Sequence, residues 1–260
     1  MTFMDGMKLI QGDCLEVMKT IPDGSVDMVL TDPPYGTTAC KWDSIIPFEP
    51  MWEQLKRVTK KNGAIVMTAS QPFTSALVMS NVRMFKYEWI WEKAVGSNFA
   101  VLKFQPMKEH ENVLVFSEGK HNYYPIKQPR KGSGSDRLKY GNNGSKTGEA
   151  TGSLNFHGFT PETYDRNWRN PSSVQYFNNR EKYRGLHPTQ KPVALMEYLI
   201  KTYTNEGETV LDFTMGSGTT GVAAKGLNRN FIGIELDEQY FNIAKERIEN
   251  TPKGSTETTL

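Results

Sequence analysis

The sequence predicts an α/β protein built on a largely parallel sheet. Three observations carry that prediction. Short apolar runs of strand length alternate with stretches of helical periodicity. Two of those runs end in punctuated turns that carry carboxylates. No apolar run reaches the roughly 18 residues of a membrane helix. The 260 residues suit one large domain, or one domain with an inserted lobe.

Met7 to Gln11 reads as a short strand running into Gly12-Asp13-Cys14. Val26 to Thr31 is a second strand, stopped by Pro33 and Pro34. Phe48, Met51, Trp52, Leu55 and Val58 recur at helical spacing, and Asn62-Gly63 is expected to close that helix. Ala64 to Thr68, Phe85 to Trp91 and Val113 to Phe116 are further strands. From Glu118 to Leu186 Gly, Ser, Asn, Lys and Arg dominate and no strong period appears, the mark of a loop-rich lobe. Ser145-Lys146-Thr147 lies there without the glycine spacing of a phosphate-binding loop. Pro192 suits a first helical turn, and Val193, Met196, Leu199, Ile200 and Tyr203 form one apolar stripe behind it. A strand at Thr209 to Asp212, a glycine turn, a helix from Thr219 to Lys225 and a strand at Phe231 to Glu235 follow. The last helix carries Tyr240, Phe241, Ala244 and Ile248 on its apolar side, and the polar tail from Thr251 is expected to fray.

Composition narrows the function. Hydrophobic residues make up 37% and charged residues 23%, ordinary for a soluble globular chain. The N-terminus lacks the apolar core of a secretion signal, and two cysteines, Cys14 and Cys40, give no disulfide framework, so a cytoplasmic protein without membrane partners is expected. His110, His121, His157 and His187 show no ligand spacing, so no metal site is expected. The net charge of +2 hides an asymmetry: residues 118 to 186 hold twelve Lys/Arg against six Asp/Glu, while the remainder is net −4. A basic segment on a mildly acidic body fits a phosphate-facing surface.

Thr31-Asp32-Pro33-Pro34-Tyr35-Gly36 carries the most chemistry. It puts a carboxylate, a carbonyl preceding a proline and an aromatic ring at a strand's C-terminal end, where open α/β sheets bind ligands. Asp32 and the Pro33 carbonyl are acceptors suited to gripping an NH2 group, and Tyr35 offers a face to a flat base. The plain alternative is a proline-rich turn with Asp32 capping a helix. The second signal is Asp212-Phe213-Thr214-Met215-Gly216-Ser217-Gly218-Thr219-Thr220-Gly221, with Glu235 ending the next strand. Gly216, Gly218 and Gly221 satisfy the dinucleotide fingerprint, so this turn alone leaves an NAD-binding unit open. Asp212 at the strand end would repel a pyrophosphate, however, and this βαβ unit comes last in the chain, not first.

The order of these motifs resembles that of the β-group DNA amino-methyltransferases: D-P-P-Y, then a variable basic region, then His187-Pro188-Thr189-Gln190-Lys191-Pro192, then the glycine turn. The resemblance covers most of the chain and implies a doubly wound, mostly parallel seven-stranded sheet, a permuted Rossmann-like arrangement. It divides the chain into a catalytic half at 1–117, a target-recognition insertion at 118–186, a cofactor-binding half at 187–250 and a tail at 251–260. It implies S-adenosylmethionine as cofactor, faced by Asp212, Phe213, Gly216, Gly218, Thr219 and Thr220, with Glu235 on its ribose. Asp13 and Cys14 match a segment near its adenine, Lys191 a position near its carboxylate, and Asp32 lies near its sulfonium. Asp32, Pro33, Pro34 and Tyr35 are the implied catalytic group, acting on a base flipped out of double-stranded DNA. Within the basic insertion Arg130, Lys131, Arg137, Lys139, Arg166 and Arg169 are the candidate DNA contacts. Asp at the head of the motif favours the N6 of adenine. The N4 of cytosine, a structured RNA and a non-catalytic nucleic-acid-binding Rossmann-like protein are the alternatives. Methylation at carbon 5 of cytosine needs a cysteine nucleophile, which the enzymes of that kind hold in a Pro-Cys pair, and neither Cys14 nor Cys40 follows a proline. A homodimer fits the same family.

Overall fold

The computed structural model describes residues 2–4, 6–38, 43–130, 167–180 and 190–255. Met1–Tyr124 with Ser173–Leu260 makes one compact unit and Pro125–Ser172 a second.

The first unit is a nine-stranded sheet in the order β1-β2-β11-β10-β3-β4-β6-β5-β9. Its strands are β1 (Thr2–Met4), β2 (Met7–Gln11), β3 (Val26–Thr31), β4 (Thr59–Ala69), β5 (Phe85–Ser97), β6 (Lys108–Phe116), β9 (Val174–Phe177), β10 (Thr209–Asp212) and β11 (Asn230–Glu235). β2, β11, β10, β3 and β4 run parallel. β6 is antiparallel to β4 and to β5. The seven strands from β2 to β5 are the sheet that the family resemblance implies. β1 adds an antiparallel strand at one edge and β9 a parallel one at the other. In the second unit β7 (Gln128–Pro129) and β8 (Trp168–Arg169) form a short antiparallel ribbon.

Helices cover both faces of the sheet, because its central strands are apolar on both sides. Helix α1 (Cys14–Met18), α2 (Phe48–Val58) and α3 (Phe73–Ser80) pack on one face. Helix α4 (Val193–Tyr203), α5 (Thr219–Gly226) and α6 (Glu238–Glu249) pack on the other. β3 alternates from Met28 onward, with Met28 and Leu30 on the α4 side and Val29 on the α2 side, while Val26, before the register jump, also joins the α2 side.

The structure corrects the expected end of α2. The helix stops at Val58, Thr59 turns extended, and Asn62-Gly63 lie inside β4. The register between β3 and β4 jumps from Val26↔Thr59 to Met28↔Ala64, which absorbs the intervening residues. Gly63 belongs there because a Cβ would stand 2.8 Å from the Asp27 carbonyl oxygen. Helices α1 and α3 and strands β1 and β9 were not anticipated. α1 has only five residues, and α3 is apolar around most of its circumference, so neither leaves a clear period. β9 falls inside the stretch read as patternless, yet it pairs with β5 in the main sheet.

Candidate active site

The C-terminal ends of the parallel strands converge on one edge and enclose a cleft of about 1490 Å³. Asp32 follows β3, Asp212 ends β10, Glu235 ends β11, and Gly12-Asp13 follow β2. Sequential connection reverses between β10 and β3, a topological switch point, where such sheets open a crevice. The two motifs meet at that seam although about 180 residues separate them. Thr31 Oγ1 donates to Asp212 Oδ1 at 2.7 Å and lies 2.6 Å from Thr214 Oγ1, which in turn donates to the Asp32 carbonyl at 3.2 Å. No helix begins in the described residues 33–38 after Asp32, so the capping alternative for D-P-P-Y falls.

At the D-P-P-Y end three donors hold the Asp32 carboxylate. Oδ1 accepts from Tyr35 Oη at 2.6 Å and from Thr68 Oγ1. Oδ2 accepts from Lys191 Nζ at 2.6 Å. The Pro33 carbonyl accepts no hydrogen bond among the described residues. Tyr35 stacks on Phe73, with centroids 5.2 Å apart and planes 23° apart, so one ring face is already covered. Burial and then the Asp32 charge hold the Tyr35 hydroxyl well above its ordinary range, so it remains a donor. Lys191 therefore serves Asp32 directly. It also approaches Glu111 Oε2 at 3.4 Å, and Glu111 Oε1 pairs with Lys93. Lys93, Glu111, Lys191 and Asp32 form a row of alternating charge. Burial disfavours the Lys191 ammonium, but Asp32 and Glu111 together raise its pKa. Burial likewise disfavours the Glu111 carboxylate, and Lys191 with Lys93 lowers its pKa on balance. Sequence reading missed Lys93 and Glu111. Each sits alone on a strand, and only the antiparallel pairing of β5 with β6 brings them together.

The glycine-turn end is built differently. Asp212 is 3% exposed, and its carboxyl is raised to about 6 by burial, offset in part by hydrogen bonds from Thr220, Thr31 and the Thr214 N–H. Glu235 accepts from Gly216 N at 2.8 Å and Asp237 N at 2.9 Å, and burial raises its pKa. Asp13 caps α1 through Leu15 N and Glu16 N. Burial and the neighbouring Asp13 push the Cys14 thiol up to about 12, so it is a neutral side chain. Thr219 and Thr220 line the same end of the cleft. Phe213 lines it too, but only 1% of it is exposed and the ring packs in the core on the α2 side.

The glycines divide their work. Gly216 and Gly218 take φ of +52° and +81°, the left-handed region that favours glycine. A Cβ on Gly218 would meet Ala244 Cβ at 2.9 Å and Cα at 3.0 Å. That glycine makes room for α6. Gly221 lets α5 approach Phe231 of β11 and Ile248 of α6.

Of the candidate DNA contacts, Arg130 and Arg169 lie at the β7–β8 ribbon of the second unit: Arg130 N donates to the Asn167 carbonyl, and Arg169 pairs with Gln128. Lys131, Arg137, Lys139 and Arg166 lie outside the described residues, as do His187 to Thr189 and Cys40. Among the described residues no cluster of His, Cys, Asp and Glu could hold a metal, and no helix is long and apolar enough to cross a membrane.

Comparison with known proteins gives the family and the fold. A family described as DNA methylase matches residues 26–246. The type II methyltransferase M.HpaI of Haemophilus parainfluenzae is 30% identical over 95% of this chain and 76% of its own. The DNA adenine methyltransferase YhdJ of Escherichia coli (strain K12) is 29% identical over 96% of this chain and 85% of its own. The crystal structure of an M1.HpyAVI–SAM complex superposes with a TM-score of 0.63 at 24% identity, covering 93% of this chain and 98% of that one, which shows a shared fold. The chain belongs to the DNA methylase family.

Proposed function

We propose that this chain transfers a methyl group from S-adenosylmethionine to the exocyclic N6 of an adenine flipped out of double-stranded DNA. The observation that carries the reading is the seam joining Asp32 to Asp212, which sets an acceptor-rich end and an acid-lined end side by side in one cleft.

The donor set of the acid-lined end suits this cofactor. Asp13, Asp212, Glu235 and Asp237 take part in none of the ion pairs among the described residues. A sulfonium, an ammonium and ribose hydroxyls complement such a surface, whereas a pyrophosphate would be repelled. Asp212 would face the ammonium and Glu235 the ribose. When bound, S-adenosylmethionine supplies an electrophilic methyl group. The chain's part is to prepare the amino group. An exocyclic amino nitrogen is a poor nucleophile because its lone pair is delocalised into the ring. Asp32 and the Pro33 carbonyl each accept one N–H and favour a more tetrahedral nitrogen with a localised lone pair. Tyr35 and Thr68 keep the Asp32 carboxylate in its orientation, so no reorganisation is needed at the moment of reaction.

The adenine preference rests on Asp32 at the head of the motif and on the likeness to a DNA adenine methyltransferase. A restriction–modification setting, a bacterial or phage cytoplasm and a homodimer belong to the same reading. The test is transfer of labelled methyl from S-adenosylmethionine to DNA, followed by nucleoside chromatography. N6-methyladenine is the expected product. N4-methylcytosine would replace the base assignment, transfer to structured RNA but not DNA would replace the substrate, and binding without transfer would leave a non-catalytic protein.

A further inference from the structure

Two partly buried carboxylates share one ammonium beside the reacting edge. Lys191 Nζ lies 2.6 Å from Asp32 Oδ2 and 3.4 Å from Glu111 Oε2. Glu111 Oε1 is taken by Lys93, but no hydrogen bond closes on Oε2 among the described residues. A buried acceptor without a donor is costly, and this one faces an ammonium that spends one of its three N–H donors on Asp32. Asp32 has the opposite problem, with three donors already on its two oxygens. Three of its roughly four acceptor sites are taken, and the ammonium on Oδ2 makes that oxygen a weaker acceptor for an incoming amino group. Lys191 also places a positive charge where the attacking nitrogen becomes positive.

We infer that Glu111 is a positioning residue that draws the Lys191 ammonium toward itself and loosens its hold on Asp32 when the target amino group arrives, a step that rests on the function proposed above. The movement is small. Shortening 3.4 Å to the usual ion-pair hydrogen bond of about 2.8 Å shifts Nζ by less than about 1 Å. Lys93 fixes Glu111 so that only Lys191 need move. Such a shift lengthens the 2.6 Å contact to at most about 3.2 Å, so the Lys191 bond to Asp32 Oδ2 loosens while Glu111 Oε2 gains an N–H and the target N–H takes the open acceptor site on Oδ2. The groups facing Lys191 are Asp32, Glu111 and the Tyr35 ring, whose centroid is 5.7 Å from Nζ.

The experiment is single-turnover methyl transfer by the full chain with Glu111→Gln, Glu111→Asp and the double variant Glu111→Gln/Lys93→Gln, the last leaving no buried lysine without a partner should the single variant fold poorly. Glu111→Gln and the double variant should both transfer about a hundredfold more slowly. Their S-adenosylmethionine affinity by calorimetry should stay within about twofold, and Glu111→Asp should regain most of the rate. Loss of Glu111 removes one of the two carboxylates that raise the Lys191 pKa, so rising pH should neutralise Lys191 earlier in the variant than in the wild type, relieve Asp32 and shrink the deficit. Wild-type rate in the double variant, a deficit that ignores pH, or a fall in cofactor affinity with unchanged rate would each overturn the inference alone. A wild-type chain that transfers no methyl group to DNA overturns the proposed function and takes this inference with it.

Discussion

The two ends of the cleft treat charge in opposite ways. At the D-P-P-Y end the charges of Lys93, Glu111, Lys191 and Asp32 form a row in which each has a partner of opposite sign. At the glycine-turn end the carboxylates of Asp13, Asp212, Glu235 and Asp237 are bonded by backbone N–H groups and threonine hydroxyls instead. The difference is one of ligand. A nearly neutral row can grip a neutral amino group and keep its lone pair available, while a cluster of acids without cations offers its charge to a cationic ligand. In the proposed function the base enters the first and the cofactor the second, and the Thr31–Asp212–Thr214–Asp32 seam sets the distance between them.

The largest effect expected is from Asp32→Ala, which removes the acceptor from the paired end. Methyl transfer should fall by about a thousandfold or more, with circular dichroism unchanged, because Lys191 keeps Glu111 as a partner. A variant turning over near the wild-type rate would break the comparison at its catalytic end. Gly218→Val strikes the other end. The new side chain meets Ala244 of α6 and must hold a φ of +81°, so cofactor affinity should drop by more than tenfold, and stability by about 1–3 kcal/mol in thermal melts. The loss would come through α6 packing; titration with NAD as control separates it from a dinucleotide site, which wild-type binding of NAD in place of S-adenosylmethionine would establish.

A smaller, sharper test uses pH. The raised Asp212 carboxyl is charged above about pH 6 and neutral below it. Attraction for an ammonium is therefore present above that value and lost as pH falls through it, and affinity should weaken several-fold between about pH 7 and about pH 5. Asp212→Asn should bind weakly at both values, and a wild type whose affinity ignores this range would remove Asp212 from the binding surface. The smallest single-site effect belongs to the basic segment. Arg130→Ala or Arg169→Ala should weaken DNA binding evenly across sequences and flatten its salt dependence by about one phosphate contact if the residue meets phosphate. A base-reading residue would instead relax the methylated site at one position, by roughly 1–3 kcal/mol of discrimination. Cofactor affinity should not respond to either, and a full panel across 118–186 with no effect on DNA would move recognition elsewhere.

Sequence reading reached furthest where backbone constraint and side-chain chemistry coincide. Two prolines ending an apolar run located Asp32 at a strand end, and glycines between Asp212 and Thr219 located the second turn. It went wrong at Asn62-Gly63, where a typical helix-ending pair is used inside a strand to absorb a register jump. It passed over β9, whose four residues gain their pairing only from β5.

By itself the sequence determined the element order, the two motif turns and the set of carboxylates at them, because strand runs, prolines and glycines act over a few neighbouring residues. Which charges meet was decided by tertiary structure alone. Lys191 lies 159 positions from Asp32 and reaches it only because both arrive at the same sheet edge. Glu111 and Lys93 are unremarkable as isolated residues on strands of mixed polarity, and their burial beside Lys191 follows from antiparallel pairing and from the sheet order. Electrostatics in a cleft depends on distances across the fold, and local sequence carries no record of them.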